Sequence, residues 1–401
     1  MDLHRCVIAG TGTLGMPHAV AQSGWLGTLV VALALFMSTT TGNMLIKCLY
    51  LKSNTRRNSY QEIARDAYGP IGCYFAVGTV GLNLFGCAIL YIILAGTLIQ
   101  TMVNTGHEDD SSAPMPIYVY VIACSAFVWA CLICTKSMKE IALLSIVGAG
   151  ATLGVVLITV GMSIELLQER AAVTLSAAHK LVDWSKIPMS FATIAFAYGG
   201  NVVYPHLEQS MRYPRSWSKA LWLALSLCFV MYIMIAVAGY MAFGSDTRNP
   251  ILDNLPHGAW SIVAHSLITL HVLLAAPILL TSLAMMIESA LEMRSPSFAQ
   301  GTKIQQFLKR AIPRTIIIVL VALIASVIPF FGDVMDLLGA LTTCLLVFIM
   351  PILFYYRLGG MSNASIAGRL WAWFIFLVGV VAMVLGTYDA TKHLVRDIKS
   401  K

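Results

Sequence analysis

Long, uninterrupted apolar runs dominate this sequence, and they restrict the fold before any motif is read. A helix that crosses the hydrocarbon of a bilayer needs about 20 mostly apolar residues. Eleven such runs can be marked: 6–22, 26–50, 75–103, 116–134, 141–166, 187–207, 220–243, 259–291, 315–329, 334–355 and 367–387. The ninth is the shortest. Charged residues make up 11% of the chain and hydrophobic residues 58%, with a mean hydropathy of +0.78. Soluble domains carry roughly 25% charged residues, so this chain has too little polar surface to cover a body in water. Lipid accepts only helices or closed barrels, because every backbone N–H and C=O must be satisfied within the protein. Barrel strands would read as ~10-residue alternating segments. The runs here are longer and continuous, so the expected class is an all-α integral membrane protein of about eleven helices.

The basic residues lie in short segments between these runs. Lys47, Lys52, Arg56, Arg57 and Arg65 fall after span 2, Arg212, Arg215 and Lys219 after span 6, and Lys303, Lys309, Arg310 and Arg314 before span 9. Glu108, Asp109 and Asp110 fall on the other side. The positive-inside bias therefore predicts a cytoplasmic N-terminus and, with an odd number of spans, an extracytoplasmic C-terminus. The formal charge of +7 is accounted for by orientation, and no nucleic-acid partner is expected. The sequon at Asn363 falls on the inner side and is predicted to stay unglycosylated. No cleavable signal peptide is expected. Cys131 and Cys134 form a C-x-x-C with no second ligand pair, so they read as packed thiols, and no metal site is expected.

The most informative residues are glycines inside spans. Span 1 reads Ala9-Gly10-Thr11-Gly12-Thr13-Leu14-Gly15-Met16-Pro17, and span 6 reads Phe196-Ala197-Tyr198-Gly199-Gly200-Asn201 with Pro205 a turn later. Glycine frees the backbone, and proline removes a donor and clashes with the preceding turn. Both helices should unwind near mid-membrane. Non-helical backbone at that depth is tolerated only where protein or a water-filled cavity surrounds it. The two breaks lie five spans apart, as two inverted five-helix repeats would place them. The expected organisation is a first repeat over 1–170, a second over 185–356, and an added eleventh helix at 367–387. The half-helix opening at Thr11–Thr13 presents N–H donors suited to a carboxylate. The half-helix ending near Tyr198 presents carbonyls suited to an ammonium. Together they suit a zwitterion, and Tyr198 is the leading candidate for selectivity. Asn83 and Tyr91 in span 3 are further candidates. Gly10-x-Gly12-x-x-Gly15 also matches a dinucleotide fingerprint, but that motif needs a strand before it and a βαβ unit after it, and the following region is a span.

Gly10-Thr-Gly-Thr-Leu-Gly-Met-Pro-His-Ala19 with Gly24-Trp25-Leu26-Gly27 resembles the opening of the amino acid/auxin permease family, also called amino acid/polyamine transporter family 2. Ser59-Tyr60-Gln-Glu-Ile-Ala64, the helix 6 segment Gly199–Glu208 and His271-Val-Leu-Leu-Ala-Ala-Pro277 extend the resemblance over nearly the whole chain, in wording closest to fungal members. It implies a LeuT-like fold and ion-coupled amino acid transport at a plasma or vacuolar membrane. Sodium-coupled relatives place an amide where Cys6 stands. A thiol is a poor ligand for a hard cation, so protons are favoured over sodium.

No Walker motif suggests an ATPase, and no cofactor is expected. Proton coupling needs a titratable group inside the membrane. His271 is the first candidate, with backbone bonding as its structural alternative. Glu208 is the second, with an ion pair to Arg212 as its alternative. Asp333 and Asp336 read as solvated or capping residues at the outer end of span 10. Two other functions stay open: transport of an amine-bearing metabolite or polyamine for a biosynthetic pathway, and a nutrient receptor on a transporter scaffold. A membrane enzyme would need clustered polar catalytic residues, such as H-E-x-x-H, which are missing from the sequence.

Overall fold

The computed structural model describes residues 10–51, 55–105, 115–134, 142–172, 178–294, 303–362 and 364–399. Those residues form helices α1 (Gly12–Ser23), α2 (Leu26–Cys48), α3 (Tyr60–Thr105), α4 (Ile117–Cys134), α5 (Ala142–Ala172), α6 (Ile187–Ala197), α7 (Tyr204–Ser210), α8 (Trp217–Phe243), α9 (Ala259–Arg294), α10 (Lys303–Val327), α11 (Phe331–Leu338), α12 (Met350–Arg357) and α13 (Ile366–Lys399). Spans 2–5, 7–9 and 11 each correspond to one of these helices. Span 6 is α6 plus α7. Span 10 is α11 and α12 joined by π-helical turns at Gly339–Thr343 and Leu345–Ile349. The first part of span 1, including Cys6 and Ala9, lies outside the described residues, as does Asn363.

Three helices run well beyond the apolar pattern. α3 begins at Tyr60 rather than near residue 75. Its backbone leaves helical geometry at Gly69, where φ is +70°. Pro70 disfavours helical geometry at the residue before it, and glycine alone tolerates the left-handed conformation taken there. α10 starts twelve residues before its apolar stretch, at Lys303, and α13 runs twelve beyond, to Lys399. Charged residues continue these helices out of the apolar zone, which a hydropathy window cannot register.

The chain divides into two compact units. One comprises Met1–Val80, Val156–Leu255 and Gly332–Lys401. In it α1 packs on α6 and α8, α2 on α8 and α12, and α13 on α6 and the π-helical turns. A buried apolar cluster links Met37 of α2, Phe191 and Ala195 of α6, Phe348 of the second π turn, and Ile375 of α13. α13 turns Leu370, Leu377 and Val384 outward, which suits a surface against lipid.

The other unit comprises Gly81–Val155 and Pro256–Phe331. There α4, α9 and α10 pack on one another. Arg314 of α10 joins all three. Its Nε donates to Glu288 of α9 at 3.0 Å, and its Nη1 donates to the Leu132 carbonyl near the C-terminal end of α4 at 2.9 Å. The cation thus meets a carboxylate and the negative end of a helix together. Such compensation is what a charge buried this deeply requires.

Candidate functional site

The described part of span 1 opens with Gly10 and Thr11 and becomes helical at Gly12. Thr11 is buried, and no side chain caps the helix. Among the described residues, no acceptor faces the N–H groups of Thr11 and Gly12. The Thr13 hydroxyl is fully buried without a partner. Pro17, one turn on, has no N–H to offer the Thr13 carbonyl. Thr13 N–H donates to Gly10 O and Leu14 N–H to Thr11 O, each at 3.1 Å, so among the described residues the buried Thr13 hydroxyl is the side-chain group at this half-helix start that lacks a partner.

α6 lies against it. A Cβ placed on Gly12 would stand 2.6 Å from the Ala197 Cα. Only glycine permits that approach, because the opposing atom is backbone. On the other side of α1, a Cβ on Gly239 of α8 would meet Pro17 at 2.8 Å.

α6 ends at Ala197, and its terminal carbonyls already carry partners. Tyr198 N–H donates to Ala195 O at 3.1 Å, Gly199 N–H to Phe196 O at 3.0 Å, and Gly200 N–H to Tyr198 O at 2.9 Å. The Tyr232 hydroxyl donates to Ala197 O at 2.7 Å. Each of these carbonyls accepts one bond, so a ligand would use the remaining lone pair. Tyr198 turns away from the break. It is fully buried, its ring meets Tyr232 edge-on at 5.3 Å, and its hydroxyl donates to Val31 O at 3.3 Å. Phe196 and Gly199 stay partly exposed. Phe196 is the larger accessible side chain at the break, a distinction that sequence spacing cannot make.

Between α6 and α7 the chain is held by Asn201, which is 1% exposed. Its Nδ2 donates to Val347 O at 3.1 Å. Tyr60 donates its hydroxyl to Leu346 O at 3.0 Å. Both carbonyls are open because Pro351, four and five residues on, has no N–H for either an α or a π bond. A proline in span 10 thus supplies the acceptors that fix the break in span 6.

α7 ends at a polar lock. Glu208 is 1% exposed. Arg56 donates to it through Nε at 3.0 Å and Nη2 at 2.5 Å, Tyr50 donates its hydroxyl at 2.5 Å, and Arg56 Nη2 also donates to Pro205 O at 2.8 Å. The expected partner one turn on, Arg212, is replaced by Arg56, because Glu208 points into the protein and not along the helix surface.

Asp336 is a second correction. It is 2% exposed, not solvated, and Thr193 of α6 donates its hydroxyl to it. Asp333 is half-buried.

Three candidates belong to the other unit. Asn83 and Tyr91 are half-buried on α3 and share a stripe with Cys87. His271 of α9 is 4% exposed, and among the described residues neither ring nitrogen has a partner. The backbone bond weighed for it from sequence is not formed. Its ring packs where a Cβ on Gly148 would lie. Among the described residues, no group of His, Cys, Asp and Glu is arranged to hold a metal ion.

The model of the family described as transmembrane amino acid transporter protein matches residues 5–392. The chain belongs to this family. It is 26% identical to the amino acid transporter AVT1C of Arabidopsis thaliana, over 98% of this chain and 68% of that one. Solved structures share the fold at low identity. MhsT in complex with L-phenylalanine superposes with a TM-score of 0.58 at 12% identity, over 97% of each chain. A manganese transporter of Eremococcus coleocola gives 0.58 at 13%, over 97% of this chain and 85% of that one. The chain therefore has the LeuT-like fold, all-helical among the described residues, with its sixth span discontinuous between α6 and α7.

Proposed function

We propose that this protein is a secondary active transporter of amino acids, driven by protons, with its substrate held at the breaks in spans 1 and 6. The close approach of Gly12 to Ala197 carries the reading. It brings the positive end of one half-helix beside the carbonyl end of another, with the unpartnered Thr13 hydroxyl between them in the chain. A carboxylate suits the first end and an ammonium the second. Gly10, Thr11, Gly12 and Thr13 would hold the carboxylate, and the carbonyls of Phe196, Ala197 and Tyr198, with Gly199, the ammonium. Asn83 and Tyr91 are proposed to contribute to side-chain selection. Repeat boundaries at 1–170 and 185–356 follow from the spacing of the breaks.

Proton coupling is favoured over sodium by the thiol at Cys6. His271 is the proposed proton-handling group of its unit. The Arg56–Glu208 pair is proposed as the cytoplasmic lock on α7, since the positive-inside distribution puts Arg56 and Arg57 on the cytoplasmic side. The N-terminus is then cytoplasmic, the C-terminus extracytoplasmic, and the host membrane plasma or vacuolar.

Uptake by purified protein in proteoliposomes, with a panel of labelled amino acids and an imposed pH or sodium gradient, tests the proposal. Accumulation of an amino acid driven by the pH gradient is expected. No movement of any amino acid under either gradient, and none in exchange, would refute it.

A further inference from the structure

We infer that Asp336 of α11 is the group through which proton binding acts on the broken helix α6, with Thr193 as its receiver. The inference rests on the transport reading above and names a residue that the sequence reading set aside as solvated.

Asp336 and Thr193 are both buried, at 2% and 0% exposed, and the Thr193 hydroxyl bonds the Asp336 carboxylate. No ion pair among the described residues includes Asp336. A buried carboxylate with one hydroxyl donor and no ion-pair partner in contact is poorly compensated when ionised, and taking up a proton removes that cost.

The bond also has a polarity that a proton reverses. Thr193 Oγ1 lies within reach of two acceptors, Asp336 Oδ1 and the Met189 carbonyl at 3.3 Å. A hydroxyl has one hydrogen to give. With Asp336 ionised, Thr193 donates to the carboxylate. With Asp336 protonated, the acid donates to Thr193 Oγ1, and the threonine hydrogen turns to Met189 within α6. One proton from the aqueous side is gained and the same proton is later lost. No bond other than O–H forms or breaks.

The segment that carries Asp336 touches both α1 and α6. Met335 of α11 occupies the space where a Cβ on Gly15 of α1 would lie, and Gly339, the first residue of the π turn that follows α11, packs on the Ala192 carbonyl of α6. Directly after α11 come the π-helical turns, a geometry frequent at functional sites. A change of charge at Asp336 is therefore made where α1, α6 and the π-helical segment meet.

The charged neighbours of Asp336 come from α6, α11 and α13. Asp333 on the same helix and Lys186 at the start of α6 act on Asp336. Asp333 in turn faces Asp397 and Arg396 of α13. Lys186 also acts on His18 of α1 and on His393 of α13.

The test uses the full-length protein in proteoliposomes and measures two things: exchange of labelled for unlabelled amino acid at symmetric pH, and uphill uptake driven by a pH gradient. Asp336→Asn is expected to keep exchange and to lose gradient-driven uptake at least tenfold. Thr193→Val is expected to keep uptake while the pH of half-maximal uptake moves upward by roughly half a unit or more, because the ionised carboxylate has lost a donor. Gradient-driven uptake by Asp336→Asn at the wild-type rate overturns the inference. So does a Thr193→Val pH profile equal to wild type, including when Asp336→Asn fails to fold. Wild-type protein that exchanges amino acids without any proton dependence overturns it too. Absence of both exchange and uptake in the wild type overturns the transport reading itself, which separates the two failures.

Discussion

Arg56 and Glu208 are separated by 152 residues, yet the Arg56 guanidinium sits 2.5 Å from the Glu208 carboxylate and also holds the Pro205 carbonyl of the same short helix. A seven-residue helix has little stability of its own. α7 is kept in place by these contacts, so the pair fixes one end of the broken span.

The two partners differ in exposure, and that sets an order of damage. The Glu208 side chain is 2% exposed and that of Arg56 21%. Arg56→Ala leaves a buried carboxylate whose remaining donor is Tyr50. Glu208→Gln leaves a neutral amide beside a cation that can reach water. Arg56→Ala is therefore expected to be the more destabilising, by about 2–3 kcal/mol discounted for the partial exposure of Arg56, and Glu208→Gln by about 1 kcal/mol. Adding Glu208→Gln to Arg56→Ala should recover part of the loss. Thermal unfolding of the detergent-solubilised single and double variants checks this. Equal losses for the two singles would mean that the pair does not hold α7.

Gly12→Ala is expected to reduce transport at least tenfold with normal membrane insertion. The new Cβ would lie 2.6 Å from both Cα and Cβ of Ala197. A flexible side chain could rotate aside, but the backbone of α6 has to move as a whole. Ala197→Gly added to Gly12→Ala removes only one of the two clashes, so partial rescue is the expected result. Uptake normalised to protein amount in the membrane measures it, and wild-type uptake by Gly12→Ala would contradict the packing of α1 on α6.

Much of this architecture is legible in the sequence because it depends on one-dimensional signals. Apolar run length marks spans 2–5, 7–9 and 11 as single helices, and Gly199-Gly200 with Pro205 marks the break in the sixth. Partner choice is not legible in the same way. Glu208 and Arg212 are one turn apart on a helix, the ordinary spacing for a surface pair, but burial of Glu208 selects Arg56 instead. Asp336 is three residues from the half-buried Asp333, and nothing local separates the fully buried carboxylate from the half-buried one. Tyr198 abuts the break, yet the turn after Ala197 sends its ring toward Tyr232 and leaves Phe196 in the open. Each miss concerns the direction a side chain takes once helices pack, which hydropathy and spacing do not encode.

Asn201 and Pro351 form a pair that never touches by charge or hydrogen bond to each other. Asn201 donates to the Val347 carbonyl, which is open because Pro351 cannot donate to it. Asn201→Ala leaves that buried carbonyl without its donor and is expected to cost about 1–2 kcal/mol. Pro351→Ala restores a backbone N–H at the required position. In the Asn201→Ala background it should therefore recover stability, whereas alone it should compete with Asn201 and bring no gain. A double-mutant cycle on unfolding midpoints gives the coupling. Strict additivity would show that the proline does not create the acceptor.

Phe196 and Tyr198 allow a direct test of where substrate side chains are read. Phe196 is partly exposed at the end of α6, and Tyr198 is fully buried between α2 and α8. A residue that contacts the substrate changes the ranking of substrates when its volume changes. A residue that only packs changes stability and leaves the ranking alone. Phe196→Ala is expected to shift relative uptake toward amino acids with larger side chains, because it opens space beside Gly199. Tyr198→Phe removes a single hydrogen bond, 3.3 Å long, to the Val31 carbonyl. It should lower stability by about 1 kcal/mol or less and keep the order of preferred substrates. Competition of a fixed labelled amino acid with a panel of unlabelled ones, run on both variants, reads the ranking directly. A reordered panel in Tyr198→Phe with an unchanged one in Phe196→Ala would return the selectivity role to Tyr198.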